Sequence, residues 1–408
     1  MIISTMVFTS GSEGIALPIN QSKISGSWHA SNFSNLIWLS SESVSKQFSR
    51  KGSRTKSNSS IPRRVAHLSR LISIRMLRCY GLLMRNCTLN YPLIARSQVK
   101  ELMSNWSDFI QEHRKAVSSD SGLVPVAEDA IVEVAGADAA KLLQGQITAD
   151  VDQLADGEFS QAALCTNKGR VISVFHILRA DQGFYCRLPA DNAEPLIATL
   201  KKYGVFYKVE VTLREDMGIA VLLQEELPDG LSDKALLLKH GPEVQEYWIE
   251  QNQWQDCWTL LAQSGVQDSE HRWKLAKLRM GWPEIFPETG EAFLPHALSL
   301  DLSEAISFTK GCYTGQEIVA RTHYRGKSKK RLTLLRADVE SILPGTDIQS
   351  AEERSIGSVV VSAASDSDMG GTEILATANI DIADAGELML DDKLVAYSQI
   401  PLPWSLDD

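Results

Sequence analysis

The distribution of charge along the chain is the feature that most constrains its fold. Residues 1–100 carry 14 Lys and Arg against two Asp and Glu, a net charge of +12, whereas residues 101–408 carry 27 against 49, a net charge of −22. Residues 1–60 also contain 17 serines and little periodic apolar pattern. Such a composition buries too little apolar surface to offset the entropy lost on ordering. We therefore expect a basic extension, residues 1–102, joined to an acidic folded body.

The basic extension admits three interpretations. Its composition, rich in Arg and Ser and poor in acids, is typical of an organellar transit peptide. Apolar residues at helical spacing among arginines, from Val65 to Met76, would also suit a functional basic arm. The abrupt change of composition at Met103 favours the third interpretation, a translation start at that methionine. We expect residues 1–102 to be disordered or not translated.

The acidic body excludes several classes of protein. It has no apolar stretch of 18 residues, so it predicts no membrane-spanning helix. The six cysteines of the whole chain, four of them in the body, form no C-x-x-C pair, which argues against a disulfide scaffold and a structural zinc site. The net negative charge argues against strong direct binding to nucleic acid. No H-x-x-x-H pair occurs, and His296 and His323 are interpreted as structural or solvated. A cytoplasmic protein without a metal site is predicted.

Apolar periodicity in the body predicts a mixture of strands and helices. Strands are predicted at 130–134, at 161–166 and 170–179 (a hairpin), and in FYCRLP, KVEVTLRE, GIAVLLQ, VQEYWIEQ and CWTLLAQ. Helices are predicted after the N-cap Asp138, at 191–203 and at 268–280. The elements show no regular βαβ rhythm, which indicates an α+β fold. After about residue 330, short strands separated by turn residues predict a small β-barrel.

One loop concentrates residues that could carry chemistry. Cys312 stands between glycines in KGCYTGQE, two residues after Lys310, and a nearby cation favours thiolate over thiol. Gln316 and Glu317 add an amide and a carboxylate to the same loop. Cys312 is therefore a candidate reactive thiol, and the alternative, a buried cysteine acting as a small apolar side chain, is about equally supported.

A cluster of six basic residues without an acid follows this loop, from Arg321 to Arg331. It is the main cationic patch of a strongly acidic body. It could meet an anionic ligand tail or an acidic partner, and it could equally be a solvated hinge between domains.

The sequence resembles a known family at this loop. Residues 310–317 match the Lys-Gly-Cys-Tyr-x-Gly-Gln-Glu signature of the YgfZ family. The proteins of this family bind folate and are linked to tRNA modification and iron–sulfur enzymes. Four flanking segments agree in order: Gly136-Ala137-Asp138, QGQITAD at 144–150, the helix and turn at 273–283, and PLPWSL at 401–406. The resemblance spans about 105–408, and nothing in 1–100 matches the family pattern.

The resemblance implies a fold similar to the glycine-cleavage T protein, an aminomethyltransferase. Residues 103–328 would form an α+β ring of subdomains around a folate channel, and residues 329–408 a C-terminal β-barrel. The implied cofactor is tetrahydrofolate or a related folate. Implied site residues are Cys312 and Lys310 as the working groups and, in contact with folate, Trp273, Tyr313, Gln316, Glu317 and Arg321. Some family members carry a second folate tryptophan where this chain has Asp129.

Three functions follow from the resemblance. The first is an accessory factor that binds folate and supports iron–sulfur enzymes, such as the radical thiotransferases that methylthiolate tRNA, so that the link to tRNA is indirect. The second is a tetrahydrofolate-dependent aminomethyl or one-carbon transferase. The third is a binding module without chemistry. Cys312 favours the first, because the corresponding loop of the T protein does not use the Cys-Tyr pair.

Overall fold

The computed structural model describes residues 106–113, 122–181, 183–224, 230–231, 234–264, 269–326, 328–367, 370–383 and 385–404. The chain divides into two units, Met1–Tyr91 and Pro92–Asp408, and all described residues belong to the second. The predictions for residues 1–102 and for a start at Met103 lie outside the described residues. Within the described ranges, no helix has the length and apolar character needed to cross a membrane.

The described residues form fifteen strands and six α-helices. The strands are β1 (Leu123–Val126), β2 (Asp129–Ala135), β3 (Phe159–Cys165), β4 (Val171–Ala180), β5 (Gly183–Pro189), β6 (Glu210–Leu213), β7 (Met217–Leu223), β8 (Leu236–Lys239), β9 (Val244–Glu250), β10 (Lys330–Ala337), β11 (Asp347–Gln349), β12 (Ser355–Ala364), β13 (Thr372–Asn379), β14 (Ala385–Leu390) and β15 (Lys393–Ile400). The α-helices are α1 (Trp106–His113), α2 (Ala139–Gln144), α3 (Ala193–Gly204), α4 (Trp254–Ser264), α5 (Glu270–Arg279) and α6 (Gln316–Arg325).

The first sheet has five antiparallel strands in the order β3-β4-β5-β2-β6. Its β3–β4 hairpin and the helix α3 confirm the sequence-based predictions. Helices α2 and α3 bury Leu143, Leu196 and Leu200 against this sheet, in the same apolar cluster as Phe175 of β4. The apolar faces of these two amphipathic helices therefore form one side of a compact core.

The start of α2 departs from the prediction in one respect. Asp138 occupies the N-cap position, but its side chain does not cap the helix. Its Oδ2 instead accepts a hydrogen bond of 2.8 Å from the backbone nitrogen of Lys208. The carboxylate thus ties the beginning of α2 to the segment that leads into β6.

The second sheet has four strands in the order β1-β7-β9-β8. Its apolar cluster includes Trp106 of α1 and four residues of α4, namely Trp254, Cys257, Trp258 and Leu261. The prediction of a strand in CWTLLAQ is wrong. These buried residues recur at intervals of three and four, which is the helical period, and a short apolar run does not distinguish a buried strand from a buried helix.

The C-terminal region is a closed barrel of six strands, in the order β10-β13-β12-β11-β14-β15. The strands predicted after residue 330 are present, and the α+β fold with a C-terminal barrel is confirmed. Closure leaves the sheet without a free edge. The segment after β15 returns to the body, where the Trp404 ring lies directly over Gly281 at the end of α5, so a side chain at that glycine would meet the indole.

Helix α5 touches all three sheets and positions the site. Trp273 lies in an apolar cluster that combines Ile131 and Leu178 of the first sheet with Val124 and Trp248 of the second. At the other end of the helix, Arg279 makes a bidentate pair with Glu373 of the barrel strand β13, with separations of 2.7 and 3.0 Å. Bidentate Arg–carboxylate geometry fixes direction as well as distance. The helix is thus held at both ends.

Candidate functional site

The loop that carries Cys312 rests on the turn of the β3–β4 hairpin. Gly315 has a φ of +85°, and a Cβ at this position would lie 2.5 Å from the carbonyl oxygen of Thr166 and 3.2 Å from the Cα of Gly169. Gly169 has a φ of +69°, and a Cβ at this position would lie 2.9 Å from the Cβ of Ile318 of α6. Two glycines therefore allow the loop and the turn to approach at backbone distance.

Replacing Gly315 with alanine is expected to lower the free energy of unfolding by about 2–4 kcal/mol, because a left-handed conformation and a steric clash add together. Urea denaturation measures the change. Gly157→Ala is the matched control, since Gly157 has a φ of +81° with no atom within 4 Å of its Cβ position. It should lose only about 1–2 kcal/mol, the conformational part. Equal losses in the two variants would show that the contact with Thr166 is unimportant.

The same loop is bonded to the QGQITAD segment at 144–150. The Thr314 backbone nitrogen donates to the carbonyl of Gly145 at 3.1 Å, and its hydroxyl donates to Gln146 Oε1 at 3.0 Å. The Lys310 ammonium donates to the carbonyls of Ile147 and Ala149. Two motifs more than 160 residues apart in sequence therefore form one surface around Cys312.

Cys312 itself is exposed, whereas the other cysteines in the described part of the chain are buried. The alternative interpretation of Cys312 as a buried apolar side chain is therefore wrong. The loop presents this sulfur to solvent while its flanks, Lys310 and Tyr313, are buried. An exposed thiol on a firmly anchored loop suits encounter with a partner or a ligand.

Lys310 has an unusual environment for a lysine. Burial lowers the pKa of its ammonium to about 8, although Asp150 and Asp152 act in the opposite direction. The ammonium donates to two carbonyls and lies 5.3 Å from the centre of the Tyr313 ring. The hydrogen bonds that the structure shows for it therefore hold the loop in place. Its effect on the Cys312 thiolate stays a prediction.

The lowered pKa of Lys310 gives a pH-dependent stability. Between pH 8 and about 10.5 the unfolded chain keeps a proton that the folded protein has released, so raising the pH in this window stabilises the folded state. Each pKa unit of difference between the two states corresponds to about 1.4 kcal/mol. We expect the free energy of unfolding of the unaltered protein to rise relative to that of Lys310→Met between pH 8 and 10. A difference that stays constant over this range would contradict the shifted pKa.

The remaining predicted residues of the loop divide into a structural and a solvent-facing set. The Gln316 side-chain amide donates to the Gly311 carbonyl at 3.5 Å and closes the loop on itself. Glu317 and Arg321 are exposed, one turn apart on α6. In the basic cluster, Arg325 and Lys329 are also exposed, but Arg331 bonds to Asp301 at 2.6 Å. Arg331 therefore holds the fold together and does not present a free charge.

Trp273 lies in a second site, deep between the first two sheets. It is 1% exposed, and its indole nitrogen has no hydrogen-bond partner. The Arg187 guanidinium lies 5.6 Å from its ring and the Lys277 ammonium 5.7 Å, while Trp282 meets it edge-on at 5.7 Å. Aromatic rings with cations at this distance attract one another. A buried indole N–H without a partner is a donor available to a ligand or a water.

A buried ionic network surrounds Trp273. Arg187 holds Glu246 in a bidentate pair at 3.0 and 3.2 Å and reaches Asp129 at 3.4 Å. Lys277 joins Asp129 at 3.4 Å and pairs closely with Glu284. Two histidines complete the network: His176 bonds to Arg187 at 3.1 Å and His240 to Glu246 at 3.0 Å. Asp129 is thus a shared partner of both cations.

Electrostatics sets the protonation of this network. Burial alone would raise the pKa of Glu246, but Arg187 and His240 hold it well below its usual range. Burial lowers the pKa of His176, which keeps that ring neutral beside Arg187. The network therefore keeps its carboxylate and guanidinium charged in an apolar surrounding, at a desolvation cost that the pairing offsets.

A narrow cavity opens beside the network. It is lined by His176, Arg187, Lys277, Trp282 and Glu284 among others, and its volume of ≈ 10 Å³ is room for about one water molecule. Gln161 of β3 also lines it, and the same strand runs on to Cys165 and Thr166, against which the Cys312 loop rests. Five strand residues span roughly 16 Å. Strand β3 therefore runs from the buried cavity to the turn on which the Cys312 loop rests.

Sequence reasoning did not find Arg187, Glu246, His176, His240 or Glu284. Two of these residues could have been noticed in the sequence, because Arg187 and Glu246 are charged residues within apolar strand-like segments. Charges at such positions are rarely buried without a partner. The sequence did not indicate that these two residues pair across sheets.

Comparisons with known proteins identify the fold. A family model, the GCVT N-terminal domain, matches residues 84–224, a stretch that begins upstream of Met103. The glycine cleavage system aminomethyltransferase T from Bartonella henselae has a similar fold, with a TM-score of 0.54 at 16% identity, over 72% of this chain and 87% of that one. The fold is therefore that of the glycine-cleavage T protein class.

Sequence relatives narrow the class to one family. The tRNA-modifying protein YgfZ of Sodalis glossinidius is 32% identical over 311 residues, which are 70% of this chain and 94% of the relative. The YgfZ protein of Escherichia coli O157:H7 is 31% identical over 320 residues, 68% of this chain and 92% of that protein. This chain belongs to the YgfZ family.

Proposed function

We propose that this protein is a folate-binding accessory factor that supports iron–sulfur enzymes and thereby tRNA modification. The observation that carries the proposal is the exposed Cys312 on a loop that is bonded to the 144–150 segment and packed on the β3–β4 turn. Membership of the YgfZ family, whose relatives are described as tRNA-modifying proteins, supports the direction of this proposal.

The buried site at Trp273 has chemistry that suits a pterin. Carboxylates of Asp129 and Glu284 can accept hydrogen bonds from pterin amide and amino groups, and the unpartnered Trp273 N–H can donate one. The cavity is smaller than a pterin, so entry requires the wall formed by Trp282 and Glu284 to move. Folate, when bound, supplies a carrier for one-carbon units. Asp129 differs from the family's second tryptophan, so the ring would be held by one aromatic fewer and one carboxylate more.

The exposed cations provide a further element of the proposal. Arg321, Arg325 and Lys329 face solvent on and after α6 and would attract the anionic glutamate tail of a folate. Cys312 would then face either the reactive part of the folate or a sulfur of a partner. The expected partners are iron–sulfur enzymes such as the radical tRNA thiotransferases, with no strong direct contact between this acidic chain and tRNA.

A second candidate is a tetrahydrofolate-dependent aminomethyl or one-carbon transferase. The observation that favours it is the fold shared with an aminomethyltransferase. Fold alone does not determine chemistry. Release of a one-carbon group from folate by the purified protein in a glycine-cleavage assay would favour this candidate.

The test of the main proposal is the 2-methylthio content of tRNA in a strain that lacks the gene. We expect this content to fall on deletion and to return when the full chain is supplied. Titration of the purified chain with tetrahydrofolate should quench tryptophan fluorescence, and Trp273→Phe should weaken that binding. Unchanged tRNA in the deletion strain would reject the role in modification, and absence of folate binding would reject the cofactor.

A further inference from the structure

A cluster of metal-ligating side chains lies outside both sites described above. One ring nitrogen each of His296 and His323 and a carboxylate oxygen of Asp301 lie within 4.8 Å of one another. His296 belongs to the 3-10 turn Pro295–Leu298, Asp301 follows that turn, and His323 stands on α6. Three segments thus bring two imidazoles and one carboxylate together, the donor set that zinc and related divalent ions prefer.

His296 lacks partners that a buried imidazole normally has. It is 3% exposed, and neither of its ring nitrogens has a hydrogen-bond partner. Its nearest acidic atom, Asp301 Oδ2, is 4.0 Å from Nε2, beyond hydrogen-bond length. A buried imidazole without partners costs free energy that a bound ion would recover. The two unpartnered ring nitrogens are therefore free to coordinate an ion.

Asp301 and His323 are held in orientations that suit a ligand role. Asp301 Oδ1 accepts a hydrogen bond of 2.6 Å from Arg331, which leaves Oδ2 for the side of His296. The His323 ring stacks on Phe308 with centres 3.7 Å apart and planes at 16°. Outer contacts of this kind orient the ligands of metal sites. Because His323 is exposed, an ion can enter from solvent and keep an open position for water.

We propose that His296, Asp301 and His323 bind a divalent transition-metal ion, with Zn²⁺ as the first candidate. Metal–nitrogen bonds of about 2.0–2.1 Å require the ligand atoms to close by roughly 1 Å, which the exposed His323 can supply. Phe308 precedes and His323 follows the Cys312 loop in sequence. The ion would therefore fasten α6 to the 295–301 segment and fix both ends of that loop. This proposal is independent of the proposed function.

The test is titration of the full chain, stripped with a chelator, with Zn²⁺ and with Mg²⁺ in a calorimeter. We expect one Zn²⁺ site that weakens at least tenfold in His323→Ala, and no binding of Mg²⁺ at this site. His271→Ala is the matched control, because His271 is an exposed histidine on α5. It should bind Zn²⁺ as the unaltered chain does. A Zn²⁺-dependent rise in melting temperature, present in the control and absent in His323→Ala, provides a second measurement.

Thiols could bind zinc elsewhere, so the ligand type is tested as well. Co²⁺ bound to nitrogen and oxygen lacks the charge-transfer absorption of a thiolate complex, and Cys312→Ala should leave the Co²⁺ spectrum unchanged. Equal Zn²⁺ affinity in His323→Ala and the unaltered chain, or loss of binding in Cys312→Ala, would overturn the proposal.

Discussion

Replacing Arg187 with methionine is expected to lower the free energy of unfolding by about 3–5 kcal/mol at neutral pH. The Arg187 side chain is 4% exposed, and its partners Asp129 and Glu246 are 2% and 0% exposed. Removing the guanidinium leaves two carboxylates in an apolar surrounding, with Glu246 retaining His240 and Asp129 retaining Lys277. The desolvation cost of these charges is then offset only by the partners that remain, which for Glu246 also include the Trp248 indole nitrogen at 2.6 Å. Urea or guanidinium denaturation measures the loss.

The pH dependence of this loss identifies its cause. In the unaltered protein the pKa of Glu246 lies below its unfolded value, so its stabilisation is complete above about pH 4.5 and is lost in acid. In Arg187→Met the Glu246 carboxylate, without the guanidinium that lowers its pKa, gains a proton more readily, and acid relieves its desolvation. The difference in free energy of unfolding between the unaltered protein and Arg187→Met should therefore decrease as the pH falls from 7 toward 4.

A surface pair provides the control for the same prediction. Lys234 contacts Asp256 at 2.7 Å, with side chains 34% and 64% exposed. Lys234→Met is expected to leave the free energy of unfolding nearly unchanged, because solvent screens the pair. A loss for Arg187→Met as small as that of the control would show that methionine packing replaces the ionic network without cost. A loss that is large but independent of pH would show that it does not come from the buried carboxylates.

The periodicity of the sequence predicted most of the local structure and little of the packing between elements. The β3–β4 hairpin, helix α5 and the strands of the barrel follow from spacing and turn residues, which act over a few positions. The strand predicted in CWTLLAQ is a helix. Its buried indole and leucine side chains lie on one side of α4 and pack on the second sheet, a contact that is formed only in the folded protein. A buried run of seven residues does not carry that information.

The two sites differ in how far the sequence predicted them. The motif at 310–317 indicated Cys312, because its residues are neighbours in the chain. The ionic network joins residues up to 148 positions apart, so no local pattern marks it. The resemblance to a family indicated Trp273, but the structure adds that Arg187 and Lys277 flank its ring and that Asp129 pairs with both cations. Long-range pairing of this kind appears only once the sheets are assembled.

Cys312→Ala is expected to abolish function without altering the fold. The side chain is exposed, so its loss should change the free energy of unfolding by no more than about 0.5 kcal/mol. If its sulfur takes part in the support of iron–sulfur enzymes, the 2-methylthio content of tRNA should fall to the level of the deletion strain. The measurement is quantification of modified nucleosides after complementation with the full chain, at matched protein abundance.

Thr309→Ala tests whether the loop surface or the thiol matters. Thr309 is exposed on the same loop, and its hydroxyl contacts Ser307 at 3.4 Å. This variant should restore modification fully, because it removes a side chain of similar size and leaves the sulfur in place. Full complementation by Cys312→Ala would assign the function to binding alone, since the thiol would then do no chemistry. Failure of both variants to restore tRNA modification would instead indicate that a partner binds the surface of the loop. The reactive group would then lie elsewhere.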